Sequence, residues 1–204
     1  MNKFNKMIGQ QFGQPKGFIG RICCKIMNVI NKKMYKSVIN EIIADSTFDI
    51  LDIGYGNGYL LHKMYKKFGC NLKGIEVSPD AEKLAFKRNK NEIKKGKIEL
   101  IAADCCDMPF KSGQFEFVTT VNTIYFWKDT EKGLTEIQRV LKDGGVFYCA
   151  VYSKDWLQKM PYTQEGFKFF DMEDYIRLGQ MAGFSEVKIK DIKKNKNFLI
   201  EFKR

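Results

Sequence analysis

The sequence predicts an α/β fold, a three-layer sandwich in which helices cover both faces of a mostly parallel sheet. Residues 49–53 form a short apolar stretch that runs into glycines at 54, 56 and 58, and a helical pattern follows. Further apolar stretches alternate with helical patterns along the chain. The last two predicted strands are separated by about four residues, which suits an antiparallel pair and is too short for a helical crossover.

Capping residues indicate where the helices begin and end. Ser78 and Asp171 stand where N-caps are expected, and Asp129 or Thr130 does so for the helix between them. We expect Gly144-Gly145 to end that helix. The predicted elements are, in order, a loose arm over 1–17, a helical region over 18–42, strand 49–53, helix 58–68, strand 72–77, helix 78–91, strand 98–102, strand 115–121, helix 130–141, strand 146–152, helix 172–183 and strands 186–192 and 197–203.

The length of 204 residues, with 44% hydrophobic and 29% charged residues, predicts one globular structural domain. Within it we expect residues 1–45 to form an N-terminal helical arm or cap, and residues 46–204 to form the main domain. No apolar run of about 18 residues and no signal-peptide pattern is evident. The six cysteines match no zinc spacing, so we expect reduced thiols, no metal and a cytoplasmic protein.

The net charge of +11 raises the question of a nucleic-acid partner. The 35 basic residues include only five arginines, and arginine is the better reader of phosphates and base edges. We therefore expect a small-molecule substrate and no nucleic acid. Residues 1–45 hold eight Lys/Arg and two Asp/Glu in a helical, amphipathic pattern. This leaves two interpretations open: helices that pack over the ligand edge of the sheet, or a peripheral contact with a membrane.

The glycine turn carries the clearest functional signal. Asp52 and the glycines at 54, 56 and 58 form the pattern D-x-G-x-G-x-G. Glycine lets a ligand lie against bare backbone, and the next helix supplies free N–H groups. The dinucleotide fingerprint G-x-G-x-x-G would place the third glycine one residue later, and the Asp52 carboxylate would repel a pyrophosphate. An acid here suits a ligand with a positive amino group.

Acidic residues also follow the next two strands. Glu76 comes near the end of the second predicted strand, 18 residues after Gly58 and close to the spacing at which a carboxylate meets ribose hydroxyls. The third predicted strand is followed by Ala103-Asp104-Cys105-Cys106. Because the carboxyl ends of parallel strands meet at one edge of the sheet, we expect these acids to border one ligand site.

These motifs, in this order, resemble the class I S-adenosylmethionine-dependent methyltransferases over residues 46–204, and most of all the methyltransferase type 11 and quinone-biosynthesis C-methyltransferase groups. The resemblance implies a Rossmann-like sheet of seven strands in the order 3-2-1-4-5-7-6 with a terminal antiparallel hairpin. It implies S-adenosylmethionine as cofactor, with its methionine part at the glycine turn, its ribose at Glu76 and its adenine at Asp104 and Cys105. The implied cofactor-binding residues are Asp52, Gly54, Tyr55, Gly56, Gly58, Glu76, Asp104, Cys105 and Asn122.

The segment after the fourth predicted strand faces the substrate in the family that the chain resembles. Asn122 and Tyr125 are the candidate catalytic residues, since an amide can orient a substrate and an aromatic ring can face a cation. The only histidine, His62, falls inside the first core helix, so a histidine base is not expected. Cys105-Cys106 are either buried thiols or ligands for a soft metalloid, and we favour buried thiols.

The stretch 152–170 is rich in aromatic residues and is expected to be a lid or a short helix over the sheet edge. Together with the N-terminal helices it would close an apolar pocket. The expected reaction is methyl transfer to a small, partly apolar acceptor, on an accepting atom that the sequence leaves open. The alternatives are a NAD-type oxidoreductase and a non-catalytic module that binds the cofactor or a membrane surface.

Overall fold

A computed structural model describes residues 3–13 and 17–204. It contains a seven-stranded sheet with the order β3-β2-β1-β4-β5-β7-β6, which confirms the predicted topology. All neighbouring strands pair in parallel except β7, which runs antiparallel to both β5 and β6. The strands are β1 (Asp49–Ile53), β2 (Asn71–Glu76), β3 (Ile98–Ala102), β4 (Phe115–Val121), β5 (Leu141–Tyr152), β6 (Glu186–Lys193) and β7 (Asn197–Lys203).

Helices cover both faces of the sheet and give two apolar clusters. One cluster includes residues of α3, α4 and α5, and the other includes residues of α7 and α9. The helices are α1 (Lys3–Gly13), α2 (Gly17–Ile30), α3 (Lys32–Glu41), α4 (Tyr59–Phe68), α5 (Pro79–Arg88), α6 (Lys90–Lys94), α7 (Thr130–Val140), α8 (Lys154–Gln158) and α9 (Met172–Met181).

The central strand β1 shows why this sequence forms a buried parallel sheet. Ile50, Leu51 and Ile53 are all almost fully buried, although neighbouring positions face opposite sides of the sheet. A parallel strand covered by helices on both faces needs such a continuous apolar run. No helix in the described part of the chain combines the length and the apolar character that crossing a bilayer requires.

The prediction of a loose arm over 1–17 was wrong for the described part, because Lys3–Gly13 is helical. Residues 1, 2 and 14–16 lie outside the described residues. Tertiary contacts stabilise α1: Phe12 stacks on Tyr162 with ring centroids 5.1 Å apart, and Gly9 lies against the Tyr162 carbonyl. The polar composition of this segment did not predict a helix, and packing against the rest of the protein stabilises one.

Two of the predicted helices are interrupted. The helical region over 18–42 breaks at Asn31 into α2 and α3. The helix predicted over 78–91 breaks at Asn89, whose side-chain amide donates hydrogen bonds to the carbonyls of Gly58 and Ala85, both at 3.1 Å. The second break therefore ties the helix to the glycine turn, a long-range contact that periodicity does not reveal.

Gly144 and Gly145 do not end a helix, contrary to the prediction. Helix α7 stops at Val140, and the glycines lie inside the long strand β5. The pairing of β5 with β4 skips residues there, and Gly144 has a φ of +75°. Both glycines lie in this irregularity of the strand pairing, and Gly144 adopts there the left-handed backbone conformation that glycine adopts easily.

Helix α7 offers a test of local capping. Asp129 accepts a hydrogen bond from the backbone N–H of Lys132 at 3.0 Å, as an N-cap should. We expect Asp129→Ala to lower the free energy of unfolding by about 1 kcal/mol in urea denaturation. The control is Asp143→Ala, because the Asp143 side chain is 97% exposed and should contribute little. Equal effects of the two substitutions would contradict the assigned cap.

Candidate functional site

A cleft of about 480 Å³ opens at the carboxyl ends of the central strands. One part is walled by the glycine turn and by the ends of β2, β3 and β4, and the other by the N-terminal helices. The lining residues include Phe12, Gly13, Met27, Asn28, Asn31, Tyr35, Asp52, Gly54, Tyr55, Gly56, Asn57, Glu76, Asp104, Cys105, Asn122, Thr123, Phe126, Trp127 and Lys128.

The three glycines of the turn have different roles, although all have positive φ. A Cβ on Gly54 would lie 2.5 Å from the Thr123 side chain, and one on Gly58 would lie 2.9 Å from Ala85, so these two glycines permit close packing. A Cβ on Gly56 would meet nothing within 4 Å. Gly56 therefore presents bare backbone to the open cleft, where a ligand can approach it closely.

Asp52 is a buried carboxyl group at the end of β1. It accepts a hydrogen bond from the Thr119 hydroxyl at 2.8 Å, and the structure assigns it no ion-pair partner among the described residues. Burial raises the pKa of Asp52 to about 7, a rise that the Thr119 hydrogen bond opposes and the charge of Glu76 increases. A cationic ligand in the cleft would stabilise the ionised form of this carboxylate.

Glu76 connects the end of β2 to the glycine turn. One carboxylate oxygen accepts the Gly56 N–H at 3.0 Å, and the other accepts those of Val77 and Ser78, both at 2.9 Å. Burial raises the pKa of Glu76, and the three backbone hydrogen bonds oppose that rise. The carboxylate is held in one orientation, which leaves its remaining lone pairs available to hydroxyl donors in the cleft.

Asp104 and Cys105 line the cleft after β3. Asp104 is exposed and accepts the Cys106 N–H at 2.9 Å, which lowers the pKa of its carboxyl group. The Cys105 sulfur lies close to Gly133 of α7, so the cleft receives mainly the backbone of this residue. Cys106 donates its thiol to the Asp129 carbonyl at 3.2 Å.

The donor atoms of Asp104, Cys105 and Cys106 lie within 4.8 Å of one another. Burial raises the pKa of both thiols, so both are protonated at neutral pH, whereas a metal ligand is a thiolate. The expectation that this chain holds no metal stays a prediction, and the neutral thiols support it.

Asn122 joins the sheet edge to the N-terminal helices. Its backbone has a φ of +59°, an uncommon conformation that asparagine tolerates. Its side-chain amide donates to the Asn31 side-chain oxygen at 3.0 Å and contacts the Met34 sulfur at 3.4 Å. Asn122 therefore lines the cleft as predicted, and it also fixes the break between α2 and α3 against β4.

Tyr125, the second catalytic candidate, does not line the described cleft. It is buried, and its hydroxyl group donates to the Asn122 side chain and accepts the Tyr152 N–H at 2.5 Å. Burial raises the pKa of its hydroxyl group well above the ordinary value. Tyr125 lies behind the cleft wall with its hydroxyl group bonded to the Asn122 side chain, and its catalytic role stays a prediction.

The aromatic stretch 152–170 forms α8 and a short 3-10 turn, and none of its described residues lines the cleft. It supports residues that do. Phe167 packs edge-on against Phe126 with centroids 4.5 Å apart, and Tyr162 holds Phe12 of α1. Of the two expectations, a lid and a short helix, the structure shows the short helix, and the stretch supports the cleft wall from behind.

Sequence reasoning missed the cleft residues of the N-terminal helices, namely Phe12, Met27, Asn28, Asn31 and Tyr35. They belong to no motif, and only the approach of three helices to the sheet edge brings them together. The one sequence feature that could have indicated them is Asn31, a polar residue within the amphipathic pattern. Asn31 is buried in the structure. His62 is half-buried in α4 and does not line the cleft.

The cleft fits S-adenosylmethionine better than a dinucleotide. Asp52 is a buried carboxyl group with no cationic partner in the described part of the chain, which suits an ammonium group, and Gly56 offers open space beside bare backbone. Among the described lining residues Lys128 is the only cationic side chain, while three carboxyl groups border the cleft. Two phosphates would meet net repulsion there.

Comparison with known proteins agrees with this geometry. A family model described as a methyltransferase domain matches residues 51–149. An uncharacterized methyltransferase, YdaC of Bacillus subtilis, is 32% identical over 121 residues, which cover 59% of this chain and 65% of that protein. The 2-methyl-6-phytyl-1,4-hydroquinone methyltransferase 1 of Oryza sativa is 28% identical over 146 residues, covering 70% of this chain and 43% of that protein.

The fold is also shared. A crystal structure of a SAM-dependent methyltransferase from Aquifex aeolicus superposes with a TM-score of 0.73 at 18% identity, covering 88% of this chain and 95% of that chain. The chain spans less than two thirds of the length of these two curated relatives. By motif, sequence similarity and fold, the chain is similar to the class I S-adenosylmethionine-dependent methyltransferases.

Proposed function

We propose that this protein transfers a methyl group from S-adenosylmethionine to a small, partly apolar acceptor. The observation that carries the proposal is the buried Asp52 carboxyl group, which lacks a cationic partner among the described residues and borders the same cleft as the bare Gly56 backbone. A ligand with an ammonium group and no phosphate would be complementary to the Asp52 carboxyl group and to the Gly56 backbone. Glu76, fixed by three backbone N–H groups, supports a neighbouring site for two hydroxyl groups.

The positions of the residues around the cleft support a role for each of them. We assign the methionine part to Asp52 and the 54–58 backbone, the ribose to Glu76, and the adenine to Asp104 and the Cys105 backbone. When bound, the cofactor supplies an already activated methyl group, so the protein mainly has to align the acceptor and exclude water. We assign Asn122 the orientation of the acceptor, a role supported by the hydrogen bonds that hold its amide to Asn31 and to the Tyr125 hydroxyl group.

The walls of the cleft suggest the class of acceptor. The end of the cleft nearest the N-terminal helices is lined by Phe12, Met27, Tyr35, Phe126 and Trp127. This lining supports an acceptor with an apolar or aromatic body. The polar groups beside them are mostly neutral amides. The Oryza sativa relative is named for a substituted hydroquinone, and an alkylated phenol or quinol is the acceptor that we propose to test first.

A methyl-transfer assay tests this proposal. Purified protein is incubated with S-adenosylmethionine and a panel of alkylated quinols, phenols and short polar amines, and products are identified by mass spectrometry. We expect methylated quinol or phenol, and Phe126→Ala should raise the acceptor KM while leaving cofactor affinity unchanged. Phe48→Ala is the matched control, because Phe48 is a partly buried ring beside the amino end of β1.

Other outcomes of the assay would favour the alternatives. Cofactor binding without turnover on the whole panel would contradict enzymatic function and favour a binding module. Reduction or oxidation of an acceptor with NAD would favour an oxidoreductase, although the three carboxyl groups in the cleft argue against it.

The pKa of Asp52 predicts a pH-dependent affinity. Its value of about 7 lies above the ordinary 3.8, so the free protein is more stable with this carboxyl group protonated, and that contribution is lost as pH rises through 7. A ligand ammonium group favours the carboxylate, so binding below pH 7 must expel a proton. We expect the affinity for S-adenosylhomocysteine to rise from pH 6 to pH 8 by up to about tenfold per unit below the pKa.

Calorimetry in buffers of different ionisation enthalpy measures that proton release directly. The Asp52→Asn variant should bind weakly, with an affinity that changes little over the same range. A steep pH dependence that survives in Asp52→Asn would assign the titration to another group.

We further propose that residues 1–45 act as a cap on the cofactor domain 46–204. Three helices from this region reach the cleft or the sheet, and Asn31 bonds to Asn122 across the boundary. The five cysteines whose side chains the structure describes are free thiols, which supports a reducing compartment such as the cytoplasm.

A further inference from the structure

Helix α2 has an apolar face that the described residues leave uncovered. The residues Ile19, Ile22, Ile26, Val29 and Ile30, here called the α2 stripe, are between 40% and 75% exposed. Their spacing of three, four, three and one places them within about 100° of the helix circumference. Five exposed branched side chains on one helix face are a contiguous patch, which soluble surfaces usually avoid.

The side of α2 adjacent to the stripe is already used by the fold. Gly20 and Cys23 are buried, and Met27 lines the cleft. The Gly17 N–H donates to the Asp80 carboxylate at 3.0 Å, which anchors the start of α2 to the first turn of α5. These contacts fix which face points inward, so the α2 stripe points away from the core.

The segment that contains this helix carries basic side chains and no acidic ones. Residues 1–40 contain eight Lys/Arg and no Asp/Glu, although the whole chain has 24 acidic residues. Lys32, Lys33 and Lys36 are exposed directly after α2. Burial of Lys196 lowers its pKa, and the positive charges of Lys193 and Lys33 lower it further. The turn between β6 and β7 therefore lies close enough to Lys33 of α3 to add cations there.

We propose that the α2 stripe docks on an anionic lipid surface, with the isoleucines in the interface and the flanking lysines near the headgroups. An apolar helix face beside a purely basic segment is complementary to such a surface. The same charges disfavour a second copy of this chain, since two equivalent faces would bring like charges together. Because Met27 lines the cleft from the same helix, docking would place the cleft mouth next to the lipid, where a partly apolar acceptor can enter.

Vesicle sedimentation tests the proposal with the full chain. We expect the protein to pellet with vesicles containing phosphatidylglycerol, to stay in solution with pure phosphatidylcholine, and to be partly released by high salt. Ile22→Ser/Ile26→Ser/Val29→Ser should weaken the partition by at least about tenfold. The matched control is Ile176→Ser/Met181→Ser on α9, whose side chains are 37% and 55% exposed, and it should pellet as the unmodified chain does.

A second pair of variants tests the charge. Lys32→Gln/Lys33→Gln should weaken pelleting, whereas Lys94→Gln/Lys95→Gln, an exposed doublet just before the amino end of β3, should not. Binding of S-adenosylhomocysteine, measured by calorimetry on each variant, shows that the variant is folded. A loss of pelleting with this binding retained therefore concerns the lipid surface and not the proposed methyl transfer. The proposal would be overturned if the protein does not pellet with the vesicles at low salt, or if the control variants lose as much pelleting as the test variants. It would also be overturned by a dimer in size-exclusion chromatography that only the stripe variant abolishes.

Discussion

A Gly56→Leu variant should fold and yet show no measurable binding of S-adenosylhomocysteine. A Cβ at this position meets nothing within 4 Å, so the new side chain has room, but that room is the cleft. The leucine would occupy the space beside the backbone that the ligand needs. We expect a loss of affinity of at least about a thousandfold, because the remaining contacts cannot form while the site is filled. Calorimetry measures this loss.

The control for Gly56→Leu is Gly96→Leu. Gly96 also has positive φ, +68° against +53°, and a Cβ there also meets nothing within 4 Å. It lies after α6, outside the cleft lining. Both variants should lose about 1–2 kcal/mol of stability from the strained backbone, and only Gly56→Leu should lose binding. If both bind normally, the cleft is not where the ligand lies.

A Glu76→Gln variant should have the second largest effect. The two carboxylate oxygens accept N–H groups from Gly56, Val77 and Ser78, so an amide would turn an NH2 group toward at least one backbone donor. The glycine turn would lose its tether, and the ribose site would lose one acceptor. We expect binding of S-adenosylhomocysteine to weaken by about a hundredfold or more, with a smaller fall in Tm.

The control for this variant is Glu99→Gln on the neighbouring strand β3. Glu99 is 57% exposed and forms an ion pair with Lys73 at the surface. We expect unchanged binding and a change in Tm within a degree or two. Weaker binding in Glu99→Gln than in Glu76→Gln would contradict the assigned role of Glu76.

The parts of the fold that local sequence controls were predictable. The strand order that the family resemblance implied was confirmed, and Asp52, Glu76 and Asp104, which the local pattern placed at strand ends, all border one cleft as expected. Each of these acids lies at or just after the carboxyl end of a strand, and the carboxyl ends of parallel strands lie at the same edge of the sheet. The role of Gly56 as open backbone also follows from the local pattern, because the turn itself creates the positive φ.

The acceptor side of the cleft was not predictable, since it depends on contacts between distant segments. Tyr125 was expected at the substrate, but its hydroxyl group bonds to Tyr152, which is 27 residues away. Phe12 reaches the cleft only because Tyr162 supports it. Neither contact leaves a periodicity or a spacing that a single sequence displays.

Titration calorimetry of the unmodified protein with S-adenosylhomocysteine, run beside an identical titration with NAD, tests the central claim most directly. The claim is that the carboxyl groups around the Gly56 backbone recognise an adenosyl amino acid without phosphates. We predict saturable binding of one S-adenosylhomocysteine per chain and no heat from NAD. Saturable binding of NAD with no heat from S-adenosylhomocysteine or S-adenosylmethionine would contradict it.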